Sequence, residues 1–116
     1  MVVYAGSLVN PKLLEYTKQG CSIYNSAKMT LEEVLEVMIA AEQEGKAIVR
    51  LHTGDPCLYG AIREQMDVLD EQGISYDYCP GVSSFCGAAS ALNLEYTLPN
   101  VSQSVIITRI DRKSVV

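Results

Sequence analysis

Two short loops carry the residue types with which this chain could do chemistry. The first is Thr53-Gly54-Asp55-Pro56-Cys57-Leu58-Tyr59-Gly60, directly after the apolar run Ala47-Ile48-Val49-Arg50-Leu51. Gly54 has no Cβ, so a bound molecule can approach its backbone closely. Pro56 stiffens the loop and drives Asp55 toward extended geometry. Two uses are open to the Asp55 carboxylate. It can accept hydrogen bonds from a ligand's hydroxyl or amine groups, or it can accept N–H groups of its own turn, capping the helix that follows. The second loop is Pro80-Gly81-Val82-Ser83-Ser84-Phe85. One of Ser83 and Ser84 can cap the next helix while the other hydroxyl faces a ligand. A helix start also offers unpaired N–H groups to a carboxylate or an adenine nitrogen. Taken alone, Pro-Gly and two serines before an alanine-rich run are more often just an ordinary helix start.

Other chemistries lack their residues. No G-x-G-x-x-G opens a helix after a strand, and there is no G-x-x-x-x-G-K-[ST], which argues against a dinucleotide fold and a P-loop. Ser83 is not in a G-x-S-x-G elbow, and His52 has no evident Ser or Cys partner, so it reads as a strand-end residue. Cys21, Cys57, Cys79 and Cys86 contain no C-x-x-C pair, so reduced thiols are expected and no metal site. The nine Lys and Arg are dispersed and the net charge is -5, whereas nucleic-acid binding demands a concentrated positive face. The first residues, Met1-Val2-Val3-Tyr4-Ala5-Gly6-Ser7, hold no basic region followed by a long apolar run. Neither signal peptide nor membrane span is expected, and the cytoplasm is the expected location.

The elements that must position the loops follow from periodicity. At 116 residues, 48% hydrophobic and 20% charged, the chain has the make-up of one globular domain. Val2-Val3-Tyr4-Ala5 reads as a strand and Gly6-Ser7 as a turn. Asn10-Pro11 opens a short helix through Leu13, Leu14 and Tyr16 that ends near Gly20. Cys21-Ser22-Ile23-Tyr24 reads as a second strand. Thr30-Leu31-Glu32-Glu33 is a capping box, with Leu31, Val34, Leu35, Met38 and Ile39 on one helical face and Gly45 as the stop. Ala47 to Leu51 reads as a buried strand. A helix from about Gly60 turns Ile62, Met66 and Leu69 inward and ends at Gly73. Residues 74–79 and 104–108 read as further strands, and residues 83–91 as a closely packed helix. Strand and helix alternate with short connections, so the expected class is α/β with a mainly parallel sheet flanked by helices. In such sheets ligands gather at the carboxyl ends of the strands, where both loops belong.

Longer strings carry a resemblance. Arg50-Leu51-His52-Thr53-Gly54-Asp55-Pro56 and Leu58-Tyr59-Gly60-Ala61-Ile62-Arg63-Glu64-Gln65-Met66 resemble the tetrapyrrole methylase family, and within it the branch that methylates C11 of cobalt-precorrin-4 or precorrin-4. Tyr4-Ala5-Gly6-Ser7-Leu8-Val9, Pro80-Gly81-Val82-Ser83-Ser84-Phe85, Leu98-Pro99 and Ser104-Val105-Ile106-Ile107-Thr108-Arg109 join them in the family's order. The resemblance implies a two-domain enzyme of corrin biosynthesis that binds S-adenosylmethionine, releases S-adenosylhomocysteine and tends to dimerise or otherwise self-associate. It implies cofactor contacts at Thr53, Gly54, Asp55, Leu58, Ser83 and Ser84. The tetrapyrrole would lie in a trough to which Tyr4, Ser7 and Tyr59 contribute. No residue stands out as a catalytic base.

The family pattern also begins with an earlier strand and a G-x-G-P-G-D-P loop, and continues into a second domain after the Thr108-Arg109 stretch. The expectation is therefore an N-terminal cofactor-binding domain, residues 1–109, lacking its first strand and the C-terminal domain, with 110–116 as linker or foreign tail. Methyl transfer by such a chain alone is expected to be slight, and its uncovered apolar surface to favour self-association. The alternatives are a non-catalytic nucleotide-binding or oligomerising α/β module, or a family member acting on another ring carbon or on a diphthamide precursor.

Overall fold

The computed structural model describes residues 1–110 of the chain. It forms two compact units, Met1–Ser83 and one that begins at Ser84. The first is built on three parallel strands, β1 (Val2–Tyr4), β2 (Ile23–Asn25) and β3 (Val49–Leu51), in the order β2-β1-β3. Val2, Val3 and Tyr4 pair in register with Ile23, Tyr24 and Asn25 on one side and with Val49, Arg50 and Leu51 on the other. The central place of β1 makes Val3 the most deeply buried side chain, fully closed to solvent.

Helix α1 (Leu31–Gln43) starts where the capping box predicts. Glu33 N–H donates to Thr30 Oγ1 at 3.2 Å, and Thr30 N–H donates to Glu33 Oε2 at 2.7 Å, so two otherwise orphaned donors are satisfied. Its buried face is Val34, Leu35, Met38 and Ala41, while Leu31 in the first turn stays 38% exposed. Helix α2 (Ile62–Glu71) buries Leu69 and, against expectation, Gln65, leaving Ile62 and Met66 half-buried. Val3, Val34, Met38 and Leu69 form the core, with Met1, Met29, Ile48 and Ile74 packed around it. Parallel strands with helices packed on the sheet make this an α/β unit, as the alternation of patterns predicts.

Two expectations change in this unit. The short helix expected after Asn10 forms as a 3-10 helix, Pro11–Tyr16, and ends before the expected Gly20; the Asn10 side chain accepts from Lys12 N–H at 3.0 Å, and Thr17 N–H already closes on Leu14 O. Residues 74–79 form no strand. They lie across a cavity of about 580 Å³ from β3, with Ile48, Val49, Arg50 and His52 on one wall and 74–79 on the other. A ladder needs strands about 4.8 Å apart. The segment lines this cavity together with β3 residues and joins no ladder.

In the second unit, α3 (Ser84–Leu92) ends at Asn93, whose φ of 51° lets Leu94 N–H return to Ala89 O at 2.9 Å. The Tyr96 hydroxyl donates to Phe85 O at 2.6 Å, and the two rings lie 6.3 Å apart, centre to centre. Residues 104–108 are not a strand. Among the described residues of this unit the only pairing is the Leu98–Ser102 bridge, so Ile106 has no sheet to enter and is 89% exposed. Of the segment 110–116, residues 111–116 lie outside the described residues.

Candidate functional site

Because the sheet is parallel, β1, β2 and β3 end at one rim, with Tyr4 level with both Asn25 and Leu51. Three connections leave there: the 3-10 turn Gly6–Leu8, the 3-10 turn Ser26–Lys28, and the loop from His52 to Gly60. The rim is held by Arg50. Its guanidinium donates from Nη1 to Val3 O at 3.1 Å, from Nη2 to Ser26 Oγ at 3.0 Å and from Nε to Gln65 Oε1 at 3.1 Å. Ser26 Oγ in turn donates to Tyr4 O, and Gln65 Nε2 to Ala61 O at 2.9 Å. This is why a glutamine occupies the inner face of α2: it satisfies a half-buried cation and the start of its own helix.

The two loops singled out by residue type meet at this rim. Asp55 N–H donates to Ser83 Oγ at 3.1 Å, and Gly81 N–H donates to Asp55 Oδ2 at 3.3 Å. On the other carboxylate oxygen, Oδ1 accepts from Cys57 N–H at 3.0 Å and from the Tyr78 hydroxyl. Cys57 N–H is shared, reaching the Tyr78 oxygen at 3.0 Å as well. Asp55 therefore makes the Asx-type turn of its own loop and ties that loop to the second. The Tyr78 hydroxyl, then the Cys57 and Gly81 N–H groups, hold the carboxyl down at about 2. The same carboxylate pushes the Tyr78 phenol up to about 12 and raises the Cys57 thiol.

The glycines are dictated by contact. A Cβ on Gly81 would lie 2.0 Å from Gly54 O, and one on Gly60 would lie 2.1 Å from Pro56 O. Gly54 itself takes φ +60°, and a Cβ there would sit 3.2 Å from Ser83. Backbone lies directly on backbone where the loops cross.

Of the residues predicted for the site, Gly54, Asp55 and Ser83 are brought together, and Thr53 precedes Gly54 on the first loop, exposed. Leu58 follows on the same loop, half-buried, its N–H on Asp55 O at 3.2 Å. Tyr59 is 55% exposed with φ +60°. Tyr4 and Ser7 stand at the end of β1 and in the turn beyond it, on the same rim, with Ser7 exposed. Ser84 opens α3 and belongs to the second unit. Sequence reasoning missed Tyr78 and the Arg50–Gln65 pair. A tyrosine two residues before Pro80, in the segment leading into the second loop, was the available signal for the first.

Comparison with known proteins places the chain in a family. Residues 1–115 match the family model described as Tetrapyrrole (Corrin/Porphyrin) Methylases. A cobalt-precorrin-4 C(11)-methyltransferase of Methanocaldococcus jannaschii is 59% identical over 109 residues, covering 94% of this chain and 42% of that protein. The protein of the same name from Priestia megaterium is 43% identical over 114 residues, covering 98% of this chain and 44% of its own length. The X-ray structure of a cobalamin biosynthetic enzyme, cobalt precorrin-4 methyltransferase, superposes with a TM-score of 0.91 at 43% identity, over 99% of this chain and 48% of that one. The chain thus spans less than half the length of these relatives. With the family model matched over residues 1–115 and the superposition extending over 99% of the chain, this chain belongs to the tetrapyrrole (corrin/porphyrin) methylases.

Proposed function

We propose that this chain is the cofactor-binding part of a methyltransferase that transfers a methyl group from S-adenosylmethionine to C11 of precorrin-4 or cobalt-precorrin-4, in cobalamin biosynthesis. Methyltransferases of the family use S-adenosylmethionine, and the relatives named above are C11-methyltransferases. The observation that carries the reading is the joining of residues 53–60 to residues 80–83 at the carboxyl rim of the sheet.

The residues present fit an adenosyl group. Gly81 admits no side chain against Gly54 O, and a Cβ on Gly54 would be strained and tight against Ser83. Thr53, Gly54 and Gly81 are exposed, and what the rim offers there is peptide N–H and C=O with short hydroxyls. Such groups suit a ligand with a polar purine edge and ribose hydroxyls. Thr53, Gly54, Asp55 and Leu58 would hold the cofactor from the first loop and Ser83 and Ser84 from the second, with S-adenosylhomocysteine as the product released. Tyr4, Ser7 and Tyr59 would meet the tetrapyrrole. The sulfonium supplies an already activated methyl group. What remains for the protein is to fix donor and acceptor carbon in line, an effect that reaches about 7–11 kcal/mol in well-aligned intramolecular reactions.

The test is a titration of the chain with S-adenosylhomocysteine, followed by amide chemical shifts and calorimetry. Saturable binding with shifts concentrated at residues 53–58 and 81–84 is expected. Shifts scattered over the sheet, or none at millimolar ligand, would contradict the assignment of these loops.

A further inference from the structure

We propose that Tyr78 is a positioning residue of the two-loop site, its hydroxyl fixing the Asp55 carboxylate and the Cys57 peptide so that the first loop stands in register with the second. The inference rests on the cofactor reading of these loops, but its evidence is separate. Tyr78 lies on the segment that leads into Pro80, 23 residues from Asp55. Its one hydroxyl makes two contacts with the first loop: it donates to Asp55 Oδ1 and accepts from Cys57 N–H at 3.0 Å. From the second loop Gly81 N–H takes the other carboxylate oxygen, and Ser83 Oγ accepts from the Asp55 peptide.

Asp55 is thus engaged on both carboxylate oxygens and on its N–H by protein groups. Its side chain acts on the loops, and the ligand is left the backbone around it. The Gly54–Gly81 contact adds a reason for such a tie. The two backbones touch with no room for a Cβ, so a small slip of either loop breaks the fit. A hydrogen bond to a charged acceptor is directional and stronger than a neutral one, and it suits that task. Tyr76, two residues earlier, interacts with Asp70 instead and provides an internal comparison. Cys57 is the other titratable group at the carboxylate, and its thiol is held protonated by Asp55.

The experiment compares the wild-type chain with Tyr78→Phe and Tyr76→Phe. The Asp55 carboxyl carbon is titrated by NMR in the ligand-free protein, and S-adenosylhomocysteine affinity is measured by calorimetry. In Tyr78→Phe the Asp55 midpoint is expected to rise from about 2 toward the ordinary 3.8. Affinity is expected to fall roughly tenfold, as for loss of one charge-assisted hydrogen bond. Tyr76→Phe should leave both unchanged. In an Asp55→Ala background, Tyr78→Phe should add little further loss of affinity, because the partner is already gone. An Asp55 midpoint that stays at about 2 in Tyr78→Phe overturns the proposal, as does an affinity equal to wild type. If the midpoint moves but wild type itself binds no S-adenosylhomocysteine, the tie stands and the cofactor reading falls.

Discussion

Asp55 shows what a motif can and cannot disclose. Its sequence left two uses for the carboxylate, and the structure shows it capping its own turn through Cys57 N–H while reaching the second loop through Gly81 N–H. The turn is local, within two residues, and was legible, but it does not cap α2, which starts after Ala61 with no side-chain cap. The tie to the second loop was neither of the two uses; it and the Tyr78 hydroxyl depend on a segment more than twenty residues away that only the folded chain delivers. Glycine gives the sharpest test at this scale. Gly81→Ala forces a methyl group into Gly54 O, backbone against backbone, so neither side can yield by rotamer change. We expect a loss of about 1–3 kcal/mol in urea unfolding, the range of an overpacked site, together with loss of S-adenosylhomocysteine binding. Unchanged stability would mean that the loops are not in contact.

His52 gives a second residue-scale prediction. It is half-buried, and its Nε2 has no hydrogen-bond partner among the described residues. Burial and the neighbouring Arg50 cation lower its pKa below the ordinary 6.5, so the folded state prefers the neutral ring. The unfolded chain then binds the proton more readily. The stabilisation is present above 6.5 and is lost as pH falls from there through the folded value. The Tm of wild type should drop between about pH 7.5 and 5.5, and His52→Asn should flatten that slope. The depressed Asp55 does not confuse the result, since its own stabilisation is lost only below 3.8, on the way down to about 2. Parallel pH slopes in the two proteins would count against a neutral buried His52.

Among the elements, those with local signals were read well. The capping box set the start of α1 because both of its hydrogen bonds lie within three residues. Thr30→Ala should cost about 1 kcal/mol, seen as a lower urea midpoint at unchanged slope, with the sheet intact by circular dichroism. The faces of the helices were read less well, and for a tertiary reason. Periodicity put Met66 inward on α2, but the half-buried Arg50 guanidinium hydrogen-bonds Gln65 on the inner face, and Met66 lies half-buried on the cavity lining. Strands fared worst where a partner was required. Residues 104–108 carry as strong a β pattern as β3, yet β3 has β1 beside it and they have no such neighbour among the described residues of their unit. Composition favours an extended chain, whereas a strand also needs a second backbone about 4.8 Å away.

At the scale of the molecule, the consequence lies along β3. Within the first unit, β3 pairs on one side only, and its other edge opens onto the cavity of about 580 Å³ lined by Ile48, Ile62, Met66 and Ile74. Parallel sheets are stable when buried, and an open edge beside apolar side chains is a template for another chain. Val49 marks the weakness, being 52% exposed in the middle of the expected strand. The chain should therefore self-associate as its concentration rises, and sedimentation velocity from about 1 to 100 μM should show it. Val49→Lys puts a charge on that edge and should weaken association about tenfold, equivalent to about 1.4 kcal/mol. Ile23→Lys on β2 is the comparison, because β2 is the other edge of the same sheet and its residues do not line this cavity. If Ile23→Lys dissociates the assembly and Val49→Lys does not, association runs through β2 and the open side of β3 is closed by its own unit. A sedimentation coefficient constant across the range would show that neither edge recruits a second copy.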